Sequence, residues 1–419
     1  MTSTLTELLS PAGEYESLEA AVDYGCDAVY LGGQGFGMRA NPKNFDLEEL
    51  ARAIQYAHQR NVRVYLTCNT VPTNDEIDAY PRFIHEAAET GIDAAIIADL
   101  GVLSLTKKHA PKLEIHMSTQ VGIMNYETAN ELYRLGAKRV VLAREASLED
   151  LRKIRQNTPS ELELEVFVHG AMCVSFSGRC LLSKYLTQRD ANRGECAQPC
   201  RWKYYLTEET RAGEKYEITE DERGTYILNS RDLCMIEHLP ELIEAGADSL
   251  KIEGRAKSAY YTAIVTNAYR CALDHALRGE PVPEWARGEV EKVSHRPYCT
   301  GFFFRYDDAE QYYESSRYFR NYDFVGVVDE CSAGKVTVIQ RNHFTLDDEL
   351  EILCPGRDPI QFAPKEMYNE KGERVTVANH AMERLTFPYE AVFPKNSILR
   401  KPSDQKYREP NHKKGNENT

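Results

Sequence analysis

The sequence predicts an α/β chain: a TIM-like (β/α) barrel carrying a Cys-rich insertion, followed by a small C-terminal β-barrel. Three observations predict it. A unit made of a glycine, a polar residue two positions on and then an apolar strand recurs at Gly25, Gly91, Gly136 and Gly246. About eight strands fall between Leu5 and Ile252, each with a helix or an insertion after it. From Tyr322 the pattern changes to short alternating strands separated by Gly, Pro and Asp turns. An open doubly wound sheet is the alternative to the barrel, because strand count carries the distinction.

Taken in order, Leu5 to Gly13 reads as a strand ending in a turn, and Tyr15 to Tyr24 as a helix. Each repeated glycine follows an amphipathic helix and suits its C′ position, where φ > 0 is needed. Further strands are expected at Val62–Cys68, Leu113–Gln120 and Leu164–Val168. Helices are expected over Phe45–Arg60, Asp75–Thr90, Tyr126–Leu135, Leu148–Asn157 and Tyr260–Arg278. The insertion, residues 170–229, interrupts the repeat after the seventh strand, which ends at Val168 and leaves His169 and Gly170 at the sheet's exit. These readings divide the chain into a barrel over 1–280, a connecting segment over 281–321, a β-barrel over 322–400 and a disordered tail over 401–419. Strands of the second barrel are expected at Phe324–Val328, Lys335–Ile339, Glu349–Leu353, Arg374–Ala378 and Glu390–Phe393.

With 419 residues and 42% apolar content the chain can bury a core without covalent staples. No apolar run approaches the ~20 residues of a membrane span, so no membrane partner is expected. With neither a span nor a signal peptide, the protein reads as cytoplasmic, and its eleven cysteines as thiols rather than disulfides. A net charge of −14 excludes a nonspecific nucleic-acid coat but permits a local basic groove. Such a groove is offered beside the cysteines: residues 179–203 hold Arg179, Lys184, Arg189, Arg193, Arg201 and Lys203 against Asp190 and Glu195 alone. Tyr185, Trp202, Tyr204 and Tyr205 are interleaved as stacking surfaces for an exposed base.

Chemistry concentrates between Glu165 and Cys234. Cys173, Cys180, Cys196, Cys200 and Cys234 are spaced C-x6-C, C-x15-C, C-x3-C and C-x33-C, which matches neither zinc knuckles nor a ferredoxin run. Thiolates brought together by Gly178, Gly194 and Pro199 would select zinc or iron–sulfur, and unligated thiols are the plainer reading. There is no G-x-S-x-G elbow and no H-E-x-x-H helix. A Cys173/His169 dyad is conceivable, although His169 is equally a supporting donor or a satisfied core histidine. The expected strand ends carry Arg39, Asn69, Gln120, Arg144–Glu145 and Glu253-Gly-Arg255. We take His169 and Glu253 as candidate catalytic residues and Arg39, Asn69, Gln120, Arg144 and Arg255 as candidate substrate-binding residues. Guanidinium groups at one mouth suit an anionic ligand; alternatively Arg144–Glu145 and Glu253–Arg255 are ion pairs that stiffen the rim.

The stretch Glu165-Val-Phe-Val-His-Gly-Ala-Met-Cys-Val-Ser-Phe-Ser-Gly-Arg-Cys-Leu-Leu-Ser183 resembles the signature of the collagenase-like peptidase family of unassigned catalytic type, and Arg189-Asp-Ala-Asn-Arg-Gly-Glu-Cys196 and Cys200-Arg-Trp202 continue the match. The resemblance covers nearly the whole chain. It implies an iron–sulfur cluster, of the four-iron kind, held by Cys173, Cys180, Cys196 and Cys234, with Cys200 as the alternative ligand. It also implies a terminal β-barrel and a role in tRNA modification, the 5-hydroxylation of wobble uridine. The branch it most resembles is prephenate-dependent, and the two carboxylates of prephenate would suit Arg39, Arg144 and Arg255. Two other classes stay open: a true collagenase-like peptidase, and a non-catalytic partner that binds RNA or a paralogous family member as a heterodimer. The cysteines outside the signature, Cys26, Cys68, Cys271, Cys299, Cys331 and Cys354, read as structural.

Overall fold

The computed structural model describes residues 6–37, 44–173, 175–176, 179–191, 194–202, 220–221, 224–225, 230–304, 320–332 and 334–403. Arg39, Arg193, Lys203, Tyr204, Tyr205 and the tail from 404 lie outside them. The chain divides into two compact units, the first holding the barrel and the second beginning at Tyr318 apart from the short stretch Glu291–Ser294.

In the first unit, β1 (Glu7–Pro11), β2 (Ala28–Gly32), β3 (Arg63–Cys68), β4 (Ala94–Ile97), β5 (Glu114–Met117), β6 (Arg139–Val141) and β7 (Glu163–Ala171) pair in sequence. The short β8 (Asp232–Cys234) follows, and then β9 (Ser249–Ile252), which pairs in parallel with both β7 and β1. Eight parallel strands thus close into a ring, and the open-sheet alternative is excluded. Local signals place the helices between them. Asp46 and Glu49 form a reciprocal capping box at the start of Leu47–His58, and Ser147 and Asp150 do the same for Leu148–Gln156. The four repeated glycines have φ of 96°, 92°, 100° and 98°, so each ends its helix in the left-handed turn expected of it.

Two helical expectations change. The stretch from Asp75 to Thr90 is broken into Asn74–Ile77 and Tyr80–Glu89. Pro81 sits in the first turn of the second helix, where its missing N–H is harmless; in a continuous helix its ring would meet the carbonyl of Ile77. Leu100–His109, absent from the expected elements, is a helix whose cap Asp99 accepts from the Val102 amide at 3.0 Å.

The lower barrel interior is charged. The Arg139 guanidinium, on β6, lies 2.5 Å from Glu7, 2.7 Å from Glu163 and 3.0 Å from Glu165, while Lys251 on β9 lies 2.7 Å from Glu165. Tyr65 donates to Glu7 at 2.5 Å and Ser249 donates to Glu7 at 3.0 Å. Above this layer Leu9, Ala28, Tyr30, Tyr65, Ala94 and Ile96 pack together. The charges sit at strand starts, the face of a (β/α) barrel that carries stability rather than chemistry.

In the second unit, β11 (Tyr322–Ser332), β12 (Lys335–Gln340), β13 (Leu350–Leu353), β14 (Ile360–Phe362), β15 (Met367–Tyr368), β16 (Arg374–Val375), β17 (Arg384–Pro388) and β18 (Ile398–Pro402) form one antiparallel sheet. It curls about one core, so that Phe362 from its first strand meets Phe387 from its sixth with ring centroids 5.2 Å apart. The strand expected at Glu390–Phe393 is irregular chain between Pro388 and Pro394, and β17 and β18 lie on either side of it. Pro388 ends β17, and Pro394, which supplies no N–H to a ladder, stands between the run and β18.

Candidate functional site

β7 does not end at Val168. It runs through His169 and Gly170 to Ala171, because β8 returns antiparallel and pairs Cys234 with His169 and Asp232 with Ala171. The short β10 (Tyr298–Cys299) then pairs in parallel with β8. The seventh strand is thereby lengthened above the barrel rim, and the insertion begins from a held strand end.

His169 is buried beneath this extension. Its Nδ1 lies 3.3 Å from the Tyr269 hydroxyl, which also donates to the Val168 carbonyl at 2.8 Å and accepts from the Met235 amide at 3.0 Å. Rings of Tyr261, Tyr269 and Tyr298 surround it at 5.3 to 6.0 Å. Burial, reinforced by His295 and Lys257, lowers its pKa to about 3, so the imidazole is neutral at physiological pH. The Tyr269 hydroxyl also lies 3.7 Å from the Cys234 sulfur.

Gly170 brings Glu253 to the mouth. Its φ is 110°, and a Cβ there would stand 2.5 Å from the Glu253 carbonyl oxygen and 2.9 Å from its Cβ. The Glu253 backbone is fixed from both sides: its amide donates to the His169 carbonyl at 2.8 Å, and its carbonyl accepts from the Tyr261 hydroxyl at 3.0 Å. Its side chain meets Arg144 at 3.3 Å. Arg144 also donates to the Ala171 carbonyl at 3.3 Å and lies 4.2 Å from the centre of the Phe167 ring. At the rim Arg144 therefore pairs with Glu253, joining the end of β6 to the end of β9. Arg255 is buried and reaches across to Thr67 at 2.6 Å and Asn44 at 3.4 Å; Gly32 makes room for it, since a Cβ there would stand 2.5 Å from its Nη2. Asn69 follows β3 directly.

Gln120 lies in the short 3-10 turn after β5, Thr119–Val121, which is locked by Thr119 donating to the Leu142 carbonyl at 2.9 Å. It belongs to the wall of a separate cleft on the β4–β5 side of the mouth.

Of the insertion's cysteines, Cys173, Cys180 and Cys196 lie near one another. Cys173 is exposed, while Cys180, Cys196, Cys200 and Cys234 are partly so. Crowding by protein raises the Cys173 pKa; Cys180 and Cys196 raise it further, and nearby Arg144 opposes them. Backbone amides of Leu182 and Gln198 point at the sulfurs of Cys180 and Cys196, each at 3.4 Å. In kind, sulfur donors beside backbone N–H groups and a guanidinium fit a thiolate-held cluster. In spacing they are not closed, since among the described residues no group of three or more His, Cys, Asp or Glu stands close enough to hold a metal ion. Cys26, Cys68 and Cys354 are buried, in keeping with a structural role.

A barrel with a thiol-bearing insertion at its mouth, followed in the chain by a curled antiparallel sheet, defines a class, and the chain belongs to it: residues 13–312 match peptidase family U32 and residues 320–400 match the peptidase family U32 C-terminal domain. The chain is 35% identical over 408 residues to tRNA hydroxylation protein P1 of Bacillus subtilis, covering 94% of each chain. It is 36% identical over 414 residues to tRNA hydroxylation protein P of Escherichia coli, covering 89% of this chain and 91% of the other. Similarity extends to the Escherichia coli 23S rRNA 5-hydroxycytidine C2501 synthase, 38% identical over 288 residues, which are 69% of this chain and 41% of that one. No described helix is long and apolar enough to cross a membrane.

Proposed function

We propose that the protein is an RNA hydroxylase that places a hydroxyl on carbon five of the wobble uridine of tRNA. The observation that carries this reading is its likeness, over nearly the full length of both chains, to proteins named for tRNA hydroxylation. The rRNA relative is named for the same position of a pyrimidine ring, which supports attack at carbon five rather than on a ribose. We further propose that Cys173, Cys180, Cys196 and Cys234 hold an iron–sulfur cluster, with Cys200 able to replace Cys196. When bound, such a cluster supplies electron transfer or orders the insertion. Prephenate is proposed as co-substrate, its carboxylates drawn to the guanidinium groups of Arg144 and Arg255. Glu253 holds Arg144 in place until the ligand arrives, and neutral His169 braces the Cys234 strand through Tyr269.

A cysteine-peptidase mechanism requires a thiol activated by an adjacent imidazole. Here the Cys173 pKa is raised, and the His169 ring is engaged with Tyr269. The test is nucleoside mass analysis in a strain lacking its own tRNA hydroxylation proteins. Expression of this chain, alone or with a co-expressed paralogue, is expected to restore 5-hydroxyuridine derivatives, and Arg144→Ala is expected to reduce them at least tenfold. Their absence in both cases overturns the proposal.

A further inference from the structure

Outside the site just described, the first unit contains a cleft of about 1050 Å³ on the β4–β5 side of the mouth. Its walls are mainly apolar, from Val71, Leu100, Leu132, Leu135 and Leu181, and of these Val71, Leu100 and Leu181 are about half exposed or more. Exposed leucines around one concavity mark a surface that a ligand covers. At the base lies Gln120, only 5% exposed, with an Oε1 that has no hydrogen-bond partner among the described residues. A buried amide oxygen left unpaired is destabilising, and a ligand donor reaching it would recover that cost.

The charges narrow the ligand. Glu127 and Glu131 stand on one wall, so a phosphate or a dicarboxylate is repelled there. Exposed Arg179 stands on the insertion side, where a phosphate can be met. The cleft therefore fits a flat neutral group with apolar faces and an N–H donor on its edge, attached to a phosphate chain that stays outside. A splayed nucleobase has that form. Uracil matches most closely, since its N3–H donor lies beside a carbonyl acceptor and the glutamine amide offers an acceptor beside a donor. Arg179 and Leu181, both in the lining, flank Cys180 in the chain, which sets the cleft beside a thiol assigned to the cluster.

Resting on the tRNA reading above, we infer that this cleft receives the extruded wobble uracil and that Gln120 reads its N3 edge. The test is binding of the full-length protein to an anticodon stem-loop carrying uridine or 3-methyluridine at the wobble position. The wild type is expected to bind uridine about tenfold more tightly, the equivalent of one hydrogen bond. Gln120→Ala is expected to bind both loops equally and weakly. Leu100→Trp, a change at an exposed wall position that leaves Gln120 intact, is expected to block the cleft and weaken binding about tenfold with unchanged thermal stability. If Gln120→Ala keeps the preference for uridine, or Leu100→Trp binds as the wild type does, the cleft assignment is overturned and the tRNA reading survives. If the wild type binds neither loop, both fall together.

Discussion

Gly170 illustrates how much of the mouth depends on one missing side chain. Its left-handed backbone and the 2.5 Å approach of the Glu253 carbonyl leave no room for a methyl group. Gly170→Ala is expected to cost about 2–4 kcal/mol, through strain and displacement of Glu253. A matching fall in the urea midpoint should accompany weakened ligand binding. The neighbouring His169 makes a pH prediction. Its folded pKa of about 3 lies below the ordinary 6.5, so the unfolded chain takes up a proton first as pH falls. Stability is then complete above pH 6.5 and declines toward pH 3. His169→Phe should flatten that decline, measured as the urea midpoint between pH 7 and 5; buried His116, whose pKa burial also lowers, should leave a residual slope.

At the scale of elements, the insertion carries the test of metal and of RNA. Anaerobically purified protein is expected to be brown. Cys173→Ala, Cys180→Ala or Cys234→Ala should bleach it and Cys331→Ala should not, whereas a colourless protein with one zinc would refute the cluster. Within the same segment Lys184 already pairs with Asp190 at 3.2 Å, but it is more than half exposed, and such a pair holds it weakly. Replacing Lys184, Arg189 and Lys203 together should reduce the salt dependence of tRNA binding by up to about 0.7 in log–log slope per lost phosphate contact, without bleaching. What was legible here follows a physical division. Helix ends, glycine turns and the barrel were readable because their causes are local: caps, φ > 0 and periodicity. The length of β7 was not, because beyond Val168 it is held by pairing with β8 and β9, both far along the chain. The pairing of Arg144 with Glu253 was not legible for the same reason, since the two stand 109 residues apart in the chain. Gln120 was named from its place after β5, but nothing in its neighbours revealed the cleft around it.

For the whole molecule, the charged barrel floor contributes to acid behaviour. Burial alone would raise the Glu165 pKa, yet Lys251 and Arg139 hold it at about 2, below the ordinary 4.5. The stability it contributes is complete above pH 4.5 and is lost as pH falls toward 2. Arg139→Met should reverse that sign. Glu7, Glu163 and Glu165 would then face one another without their shared cation, a loss of about 3–5 kcal/mol at pH 7. Protonation should relieve part of it, so this variant alone should gain stability between pH 7 and 5. This layer was not read from the sequence, because the convergence of its charges requires the closed ring.

The returning strand β8 also sets an order of events during synthesis. Chains emerge amino end first, so the sulfurs of Cys173, Cys180 and Cys196 leave the ribosome while the upper half of β7 still lacks the neighbour that carries Cys234. Only when β8 has crossed back does that fourth sulfur take its place beside His169, and only with β9 does the ring below it shut. A cluster of the kind proposed, delivered before β8 emerges, would meet three of its four proposed ligands and an open barrel. Delivered once β8 and β9 are in place it would meet the full proposed set, so the loading we propose waits on those two strands rather than on the insertion alone.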